Sequence, residues 1–517
     1  MIAPRLLRSP HLMAALLFST AWVTALFLLQ RHFDFNIADG GFLWYGAERT
    51  LAGDVPLRDF MAYDPGRYWL AAMFMAAVHD HGMVTLRAWM YLVEAVAVCL
   101  VVVTVARSST RVSFIQLCGV ALLASLWMYP EHKTIDIVLS IAIVLVLSLL
   151  VEKPTAARFF WAGVYVGASA VIGRNHGLYG VIACLLTIML LSLKHRRQFP
   201  LVSRAAWGVL GIGAGYLPVI LALIVVPGFG SAFAQSVLLN LHSNSTNLPL
   251  PVPWPWLVKF DALAPLDVAQ QVAIGLGFVA LPLFSLAGVV HLLRLSGDAI
   301  SKSHAIFAAA VIAAIPYEHY AFSRADTTHL THSVFPMLIG LICWPEGKKS
   351  IKRWMIPVLL VASAIGMLPL MPRLEALRNG NWQRVTVGAD TLVVEPNTAQ
   401  AILFLQNIDR TFVPPGKTLW VTPLWPSAYP LLDRVSPVWD LYGLFHRDRQ
   451  FEEAEIRRLQ RAPVAVVVVV DGALDGRDDL RFKNTHPLEQ QYLETHFKEL
   501  PSASPDPSIH VYVPVAP

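Results

Sequence analysis

The sequence predicts a polytopic α-helical membrane protein that carries a small α/β domain at its C-terminal end. Hydrophobic residues make up 56% of the 517 residues and charged residues only 15%, and the mean hydropathy is +0.54. Apolar runs of about 18 residues or more, the length that crosses a bilayer as a helix, recur along the chain and stop near Met371. This composition excludes a soluble globular protein.

Eleven transmembrane helices are predicted from these runs. The first covers residues 11–30, and because no small-residue cleavage site follows it, we interpret it as a retained helix and not as a signal peptide. The other ten cover residues 86–106, 113–130, 134–151, 158–173, 177–193, 204–227, 270–293, 304–321, 330–344 and 354–371.

The net charge of +5 is explained by topology. Lys and Arg concentrate at the N-terminus and in every second connector: Arg5 and Arg8, Arg107 and Arg111, Lys153 and Arg158, Lys194–Arg197 with Arg204, Arg294 and Lys302, and Lys348–Arg353. Basic connectors face the cytoplasm, so the N-terminus is predicted to be cytoplasmic and the C-terminal domain to lie on the outer side of the membrane. No nucleic-acid partner is predicted.

Two predicted outer loops are long, and both are unusual. Residues 31–85 contain the apolar segment 67–79, which is too short to span and is expected to lie along the interface or to re-enter. Residues 228–269 contain PVPWPW and are expected to form an irregular lid or rim at the outer surface, anchored by tryptophans.

Residues 372–517 have the composition of a water-soluble domain, so we divide the chain into a transmembrane module, 1–371, and this domain. Periodicity predicts helices near residues 399–408, 452–461 and 488–497, and strands at KTLWVTP, 464–470 and 509–513. The alternation predicts a small α/β fold. Since no glycine-rich phosphate loop follows a strand, a nucleotide site is not supported.

The polar loop Ala38–Tyr68 stands out from the apolar chain. Asp39 precedes two glycines and an apolar helical pattern that ends at Gly53, so its simplest role is the N-cap of that helix. However, the following charges are interleaved with Trp44, Tyr45, Phe60 and Tyr63, which a solvated polar face does not require. This pattern favours a functional loop.

The loop also resembles a known family. An aspartate just past the first span, an apolar helix and then LAGDVPLRDFMAYDPGRYWLAAMF resemble the membrane-embedded GT-C superfamily of glycosyltransferases. The similarity is to the bacterial branch related to protein mannosyltransferases and lipid A aminoarabinose transferases, whose usual forms are an acidic pair, AGxxPYRDF and PPGRY. The resemblance covers the whole architecture, but it does not identify the substrate.

The resemblance implies inverting transfer of a hexosyl or pentosyl group from a polyprenyl-phosphate donor to a lipid, polysaccharide or protein in the periplasm. The family's first-loop aspartate is the general base, and Asp39 matches it. The second acid of the family's pair is Gly40 here, so we expect that Asp59 or Asp64 could substitute as a catalytic acid.

A carrier phosphate requires cationic side chains. The donor-phosphate candidates are Arg58, Arg67, Lys133, Arg174, Arg324 and His329, and the substrate-pocket candidates are Glu131 and Asp326. Each has a simpler alternative: Arg174 could be a lone snorkelling arginine, Asp326 a helix cap, and the connector PEHKTID a solvated turn. RADTTH resembles an R-x-D-x-x-H element of the family, which favours function for Arg324, Asp326 and His329.

Two other function classes stay open. A lipid or glycan flippase without transferase chemistry would more naturally show inverted repeats and broken helices, and none is evident in the sequence. An inactive relative could bind cell-wall material through its outer domain. With Gly40 in place of an acid and no CxxC spacing, no cofactor is predicted, and a divalent cation is possible but not favoured.

Overall fold

Helices dominate the computed structural model, which describes residues 9–109, 112–194, 200–242, 248–294, 301–345, 349–501, 503–504 and 506–515. Each predicted span coincides with a helix or a helix pair. Among the described residues, seven helices are long and apolar enough to cross a membrane, and the bent pair Leu201–Gly215 and Leu217–Val225 adds an eighth if it forms one span. The prediction of a multi-pass helical membrane protein is confirmed.

The span count of eleven stays a prediction, because three of the predicted spans fall on short helices. Phe114–Leu126, Ala156–Ile172 and Thr327–Ile342 contain 13, 17 and 16 residues. A helix of about 20 residues covers the hydrocarbon core when it stands upright. The basic residues Arg5, Arg8, Arg111, Arg196, Arg197 and Lys348, which carry the predicted orientation, lie outside the described residues.

Packing divides the chain into two compact units. Unit 1 comprises Met1–Gln30, Arg87–Val225 and Asn247–Glu375, and unit 2 comprises Arg31–Leu86, Val226–Thr246 and Ala376–Pro517. The first predicted outer loop and the C-terminal segment therefore pack in one unit, although most of the apolar chain lies between them in sequence.

The helices of the apolar part follow one another with short connectors. In chain order they are α1 Pro10–Gln30, α2 Asp39–Leu51, α3 Gly66–Val78, α4 Met83–Ser108, α5 Phe114–Leu126, α6 Thr134–Glu152, α7 Ala156–Ile172, α8 Arg174–Lys194, α9 Leu201–Gly215, α10 Leu217–Val225, α11 Phe229–His242, α12 Pro265–Arg294, α13 Lys302–Ser323, α14 Thr327–Ile342 and α15 Lys349–Met367. Short 3-10 turns occur at Glu131–Lys133, Pro255–Leu257 and Leu368–Leu370.

The core of unit 1 forms around α6 and α13. The central stretch Ala305–Ala314 of α13 is buried on every side, as its uniformly apolar sequence requires. α13 packs against α6, α8, α12 and α14. This packing brings the polar first turns of α6 and α8 to the last turns of α13.

Unit 2 is built around a four-stranded mixed sheet. Its helices in the C-terminal segment are α16 Pro372–Asn379, α17 Pro396–Phe412, α18 Ala428–Leu431, α19 Arg449–Arg461, α20 Phe482–Thr485 and α21 Pro487–His496, of which α16 begins in unit 1. Its strands are β1 Gln383–Val387, β2 Asp390–Val394, β3 Thr418–Thr422, β4 Val464–Val470, β5 Phe497–Glu499 and β6 Ile509–Pro514. The strand order is β3-β4-β6-β5, with β3 and β4 parallel and the other pairs antiparallel.

Every helix and strand predicted for residues 372–517 is present, because each carries a clear apolar period. The antiparallel β1-β2 hairpin and the three-residue β5 were not predicted, since they are too short to show an alternation. The loop 228–269, expected to be irregular, begins with the 14-residue helix α11. Trp254 and Trp256 stack in its second half with ring centroids 5.2 Å apart, and residues 243–247 lie outside the described residues.

Candidate active site

Asp39 is the first residue of α2, and it is not the helix N-cap. The N-cap is Ala38, whose side chain makes no capping hydrogen bond. The Asp39 side chain is exposed, and a carboxylate in the first turn interacts favourably with the helix dipole. The simpler interpretation of Asp39 as the N-cap of α2 is therefore wrong.

The carboxylate of Asp39 accepts a hydrogen bond from the C-terminal segment of unit 2. The Tyr442 hydroxyl donates to Asp39 Oδ1 at 3.0 Å. The Tyr442 ring is buried and stacks on Phe42, three residues further along α2, with centroids 4.8 Å apart. Burial and the neighbouring Asp39 carboxylate raise the pKa of Tyr442 well above its usual value, so the hydroxyl keeps its proton and acts as a donor.

Arg67 and Asp64 belong to the same aromatic layer. Phe42 meets Tyr63 edge to face at 4.9 Å, and the Arg67 guanidinium lies 5.1 Å from the Tyr63 ring centroid. Asp64 and Arg67 are both buried, and the Tyr63 backbone N–H donates to the Tyr68 hydroxyl at 3.1 Å. The structure thus brings two further predicted residues into the layer that contains Asp39.

Arg58 and Asp59 have a structural task that the sequence did not indicate. Arg58 Nε donates to Asp59 Oδ1 at 2.8 Å and Arg58 Nη1 to the Pro227 carbonyl at 3.0 Å. Asp59 Oδ2 also accepts from the Val55 backbone N–H at 2.7 Å. Burial opposes ionisation of Asp59, but these donors outweigh it and hold its pKa below the usual value. The pair ties the first loop to the segment that leads into α11.

The α2 helix packs against the segment that follows the carboxyl end of β3. The segment after β3 leads to Ser427, whose hydroxyl donates to the Ile37 carbonyl at 2.7 Å. Gly41 lies directly against Ser427, and a Cβ at Gly41 would overlap the Ser427 side chain and backbone. A glycine is therefore required at this close approach.

A buried ionic network supports the segment that carries Tyr442. Asp440 Oδ1 accepts from the Tyr442 backbone N–H at 3.1 Å, and Asp440 Oδ2 lies 2.7 Å from Arg447 Nη2. The side chains of Asp440 and Arg447 are 4% and 1% exposed. Burial opposes ionisation of Asp440, but Arg447 and His486 outweigh it and lower its pKa. Glu455 Oε2 in turn accepts from the backbone N–H groups of Trp439 and Asp440 at 2.6 and 3.1 Å.

Unit 1 contains a second cluster of predicted residues. Arg324 Nε lies 3.0 Å from Asp326 Oδ2, and His329 Nδ1 lies 2.8 Å from Asp326 Oδ1. Asp326 Oδ1 also accepts from the His329 backbone N–H at 2.9 Å and is the N-cap of α14. The cap role considered for Asp326 is thus present, and the three residues of the R-x-D-x-x-H element lie together.

Glu131 and Lys133 occupy the turn before α6. Glu131 Oε1 accepts from Arg87 Nε at 2.7 Å, and the Arg87 side chain is 2% exposed. Lys133 is half-buried and interacts electrostatically with His332 of α14, as do Asp136 and His329. Arg174 is half-buried and begins α8 directly after Gly173, where α7 ends.

Several polar partners in these clusters were missed from sequence. His176 Nε2 lies 3.1 Å from Asp136 Oδ1 and His176 Nδ1 lies 2.8 Å from the Tyr317 hydroxyl, all three buried. Arg174 was singled out in the sequence, although His176, two residues later in GRNHG, is also a polar residue beside an apolar span. Tyr442 had no sequence signal, because it lies 403 residues from Asp39.

No metal-binding arrangement of three His, Cys, Asp or Glu side chains occurs within the described ranges. The absence of a metal from the chemistry stays a prediction.

Solved structures with a similar fold identify the architecture. The crystal structure of ArnT from Cupriavidus metallidurans bound to undecaprenyl phosphate matches 97% of this chain and 98% of its own, with 14% identity and a TM-score of 0.54. The same protein in the apo state gives 12% identity over 96% of this chain and 97% of its own, with a TM-score of 0.48. The archaeal oligosaccharyltransferase AglB from Archaeoglobus fulgidus gives 12% identity over 98% of this chain and 74% of its own, with a TM-score of 0.47.

The fold assignment rests on the first of these structures. It confirms, at the level of the fold, the predicted similarity to GT-C membrane glycosyltransferases. No protein-family model matches the sequence, and no curated protein matches it significantly.

Proposed function

We propose that this chain, which has the fold of GT-C membrane glycosyltransferases, transfers a sugar from a polyprenyl-phosphate carrier to a hydroxyl group of an envelope lipid, polysaccharide or protein. The observation that carries the proposal is the Asp39 carboxylate, which is exposed at the start of α2 and is held by Tyr442 at 3.0 Å. A carboxylate that a hydrogen bond orients in this way suits a general base.

In the proposed reaction, Asp39 accepts the proton of the acceptor hydroxyl as the hydroxyl oxygen attacks the anomeric carbon. The new bond joins that oxygen to the anomeric carbon, and the bond between the anomeric carbon and the carrier-phosphate oxygen breaks. The electron pair of the broken bond stays on the phosphate. Attack opposite the leaving group inverts the anomeric configuration.

The leaving phosphate gains charge in this step, and cationic side chains stabilise it. Arg324, Lys133 and His329 of unit 1 are our first candidates, because Arg324 and His329 are already fixed by Asp326 at 3.0 and 2.8 Å. Arg174 is a further candidate, and Arg67 is a candidate within unit 2. Arg58 is also a candidate within unit 2, because its guanidinium, like that of Arg324, is oriented by a carboxylate and a backbone carbonyl. The fold neighbour ArnT is described with bound undecaprenyl phosphate, which supports a carrier of that chemistry.

The remaining predicted residues receive supporting roles. We propose that Glu131, oriented by Arg87 at 2.7 Å, and Asp326 line the substrate pocket, and that Asp64 is a second catalytic acid. Asp59 is assigned to loop structure in place of catalysis. We propose, from the charge of the connectors, that the chain lies in a bacterial inner membrane with its C-terminal domain on the periplasmic side, where a carrier-linked sugar and an envelope acceptor are both present.

Mass analysis of cell-envelope glycans tests the proposal. Envelope lipids and polysaccharides are compared between cells that lack the gene and cells that express the wild-type chain, Asp39→Asn or the control Asp54→Asn. Asp54 shares the loop but pairs with Arg49 at 2.6 Å. We expect one sugar modification to disappear without the gene and with Asp39→Asn, and to persist with Asp54→Asn.

Binding of labelled undecaprenyl phosphate to the purified protein tests the phosphate-binding role of Arg324 separately from the base role of Asp39. We expect Arg324→Ala to weaken binding about tenfold to a hundredfold, since a charge-assisted contact contributes roughly 1.5–3 kcal/mol, and Asp39→Asn to leave it unchanged. A flippase would retain lipid translocation in Asp39→Asn cells and would show no missing sugar. An unchanged glycan profile in those cells contradicts the proposal.

A further inference from the structure

Tyr442 links the C-terminal segment of unit 2 to the proposed base. We infer that Tyr442 is a positioning residue for Asp39, through which the segment Ser436–Arg447 completes the catalytic loop. This inference rests on the proposed role of Asp39 as general base. It assigns to the C-terminal part of the chain a task in the reaction.

The bond joins two side chains that are each held by further contacts. Tyr442 is held through its ring, which stacks on Phe42 at 4.8 Å, and through its backbone N–H, which donates to Asp440 at 3.1 Å. Asp39 is held by its place in the first turn of α2. A chance contact of an exposed carboxylate would not need a buried aromatic ring as its partner.

The backbone on the N-terminal side of Tyr442 is tied to the first loop as well. The Ser436 backbone N–H donates to the Tyr45 hydroxyl at 3.1 Å. Trp439 makes two bonds: its indole N–H donates to the Leu57 carbonyl at 2.9 Å, and its carbonyl accepts from the Met61 backbone N–H at 2.9 Å. The segment therefore contacts both α2 and the turn after it, which restricts where the Tyr442 hydroxyl can lie.

The chemical effect of the bond follows from its donor. The Tyr442 hydroxyl donates to Oδ1 of Asp39 at 3.0 Å, the carboxylate that we propose accepts the proton of a substrate hydroxyl. A hydrogen bond to the charged form of a carboxylate stabilises that form. Tyr442 therefore orients the base and keeps it ionised to lower pH than an aspartate without this donor.

Simple aromatic packing is the competing explanation, in which the hydroxyl lies near Asp39 only because the ring fills the layer. Tyr442→Phe separates the two, because it keeps the stack on Phe42 and removes the donor. A packing role predicts no change in the titration of Asp39. A positioning role predicts an upward shift of about half a pH unit to one unit, since a net hydrogen bond of about 0.5–1.5 kcal/mol is removed.

The experiment is an infrared titration of the full chain in nanodiscs, in which the Asp39 carboxyl band is identified as the band missing in Asp39→Asn. We expect its midpoint to rise in Tyr442→Phe and to stay unchanged in the control Tyr429→Phe. Tyr429 is a buried tyrosine of the same unit whose hydroxyl accepts from the Val421 backbone N–H at 3.2 Å. If Tyr442→Phe does not fold, difluorotyrosine at position 442 decides: its stronger donor should lower the midpoint.

Activity provides the second readout. Release of undecaprenyl phosphate from sugar-linked carrier extracted from cells lacking the gene should fall about threefold to tenfold in Tyr442→Phe at neutral pH, with the acid limb of its pH profile at higher pH. A midpoint that does not move in the Phe or the difluorotyrosine protein overturns the inference alone. Full activity of Asp39→Asn, with the midpoint moving as expected in Tyr442→Phe, overturns instead the proposed function.

Discussion

Replacement of Asp440 by Asn tests whether the buried ionic network holds the segment that carries Tyr442. The substitution keeps the shape of the side chain but removes the charge that faces Arg447 Nη2 at 2.7 Å. The Arg447 side chain is 1% exposed, so its charge would stay buried without a carboxylate. Removing one partner of a buried ion pair costs about 3–5 kcal/mol.

The expected loss of stability is large. At about 2–4 °C per kcal/mol for a domain of this size class, the melting temperature should fall by about 6–20 °C. Scanning fluorimetry of the full chain in detergent measures it, with Asp479→Asn as the control. Asp479 pairs with Arg477 at 2.6 Å, but both side chains are about half exposed, so its loss should hardly change the melting temperature.

The pH dependence has a definite sign. Because the pKa of Asp440 is lowered in the folded protein, its stabilising contribution is present above the ordinary aspartate range and is lost as pH falls through the lowered value. Asp440→Asn should therefore destabilise the protein at neutral pH and lose less additional stability in acid than the wild type. If Asp440→Asn and Asp479→Asn melt at the same temperature, the network does not hold the segment.

Three further outcomes are expected. Gly41→Ala should lose about 1–3 kcal/mol of stability by overpacking against Ser427. The control Gly40→Ala should lose less, because its Cβ would meet only Asn36, at 3.2 Å. Equal melting temperatures of the two variants would refute the close packing of α2 against Ser427. Burial and the nearby Glu455 and Asp440 raise the pKa of Glu489 well above its usual value, so the stability of the wild type should fall as pH rises from that usual value to the raised pKa, and the stability of Glu489→Gln should hold. Urea unfolding across pH checks this, with exposed Glu494→Gln as the control. Parallel curves for Glu489→Gln and the wild type would contradict it. Transfer should survive a chelator, and a loss that Mg²⁺ or Mn²⁺ restores would show that a divalent cation takes part.

Local sequence patterns predicted most of the helices and strands. Each of the eleven apolar runs falls on a helix or a helix pair, including α6 and α13, and periodicity located α17, α19 and β4. These elements are determined by the period of their own side chains. Short elements such as β5 escaped, because three residues cannot display an alternation.

Long-range partners could not be predicted in the same way. Asp39 was identified by its place after the first span. Its hydrogen-bond donor Tyr442 follows all the membrane helices in the sequence, 403 residues later. The motif predicted Arg58 as a phosphate-binding residue and Asp59 as a catalytic residue. Only the bond to Pro227 revealed their structural task. Buried pairs such as Arg87 with Glu131 depend on which helices pack together, which a single sequence does not specify.

The most direct test of the central claim is the rate of sugar transfer by purified Asp39→Asn in proteoliposomes. A general base contributes about 10²–10⁴-fold to the rate, so transfer should fall by about that factor while binding of undecaprenyl phosphate and the melting temperature match those of Asp54→Asn. Transfer by Asp39→Asn within about twofold of Asp54→Asn would contradict the account, because it would show that no proton passes to Asp39.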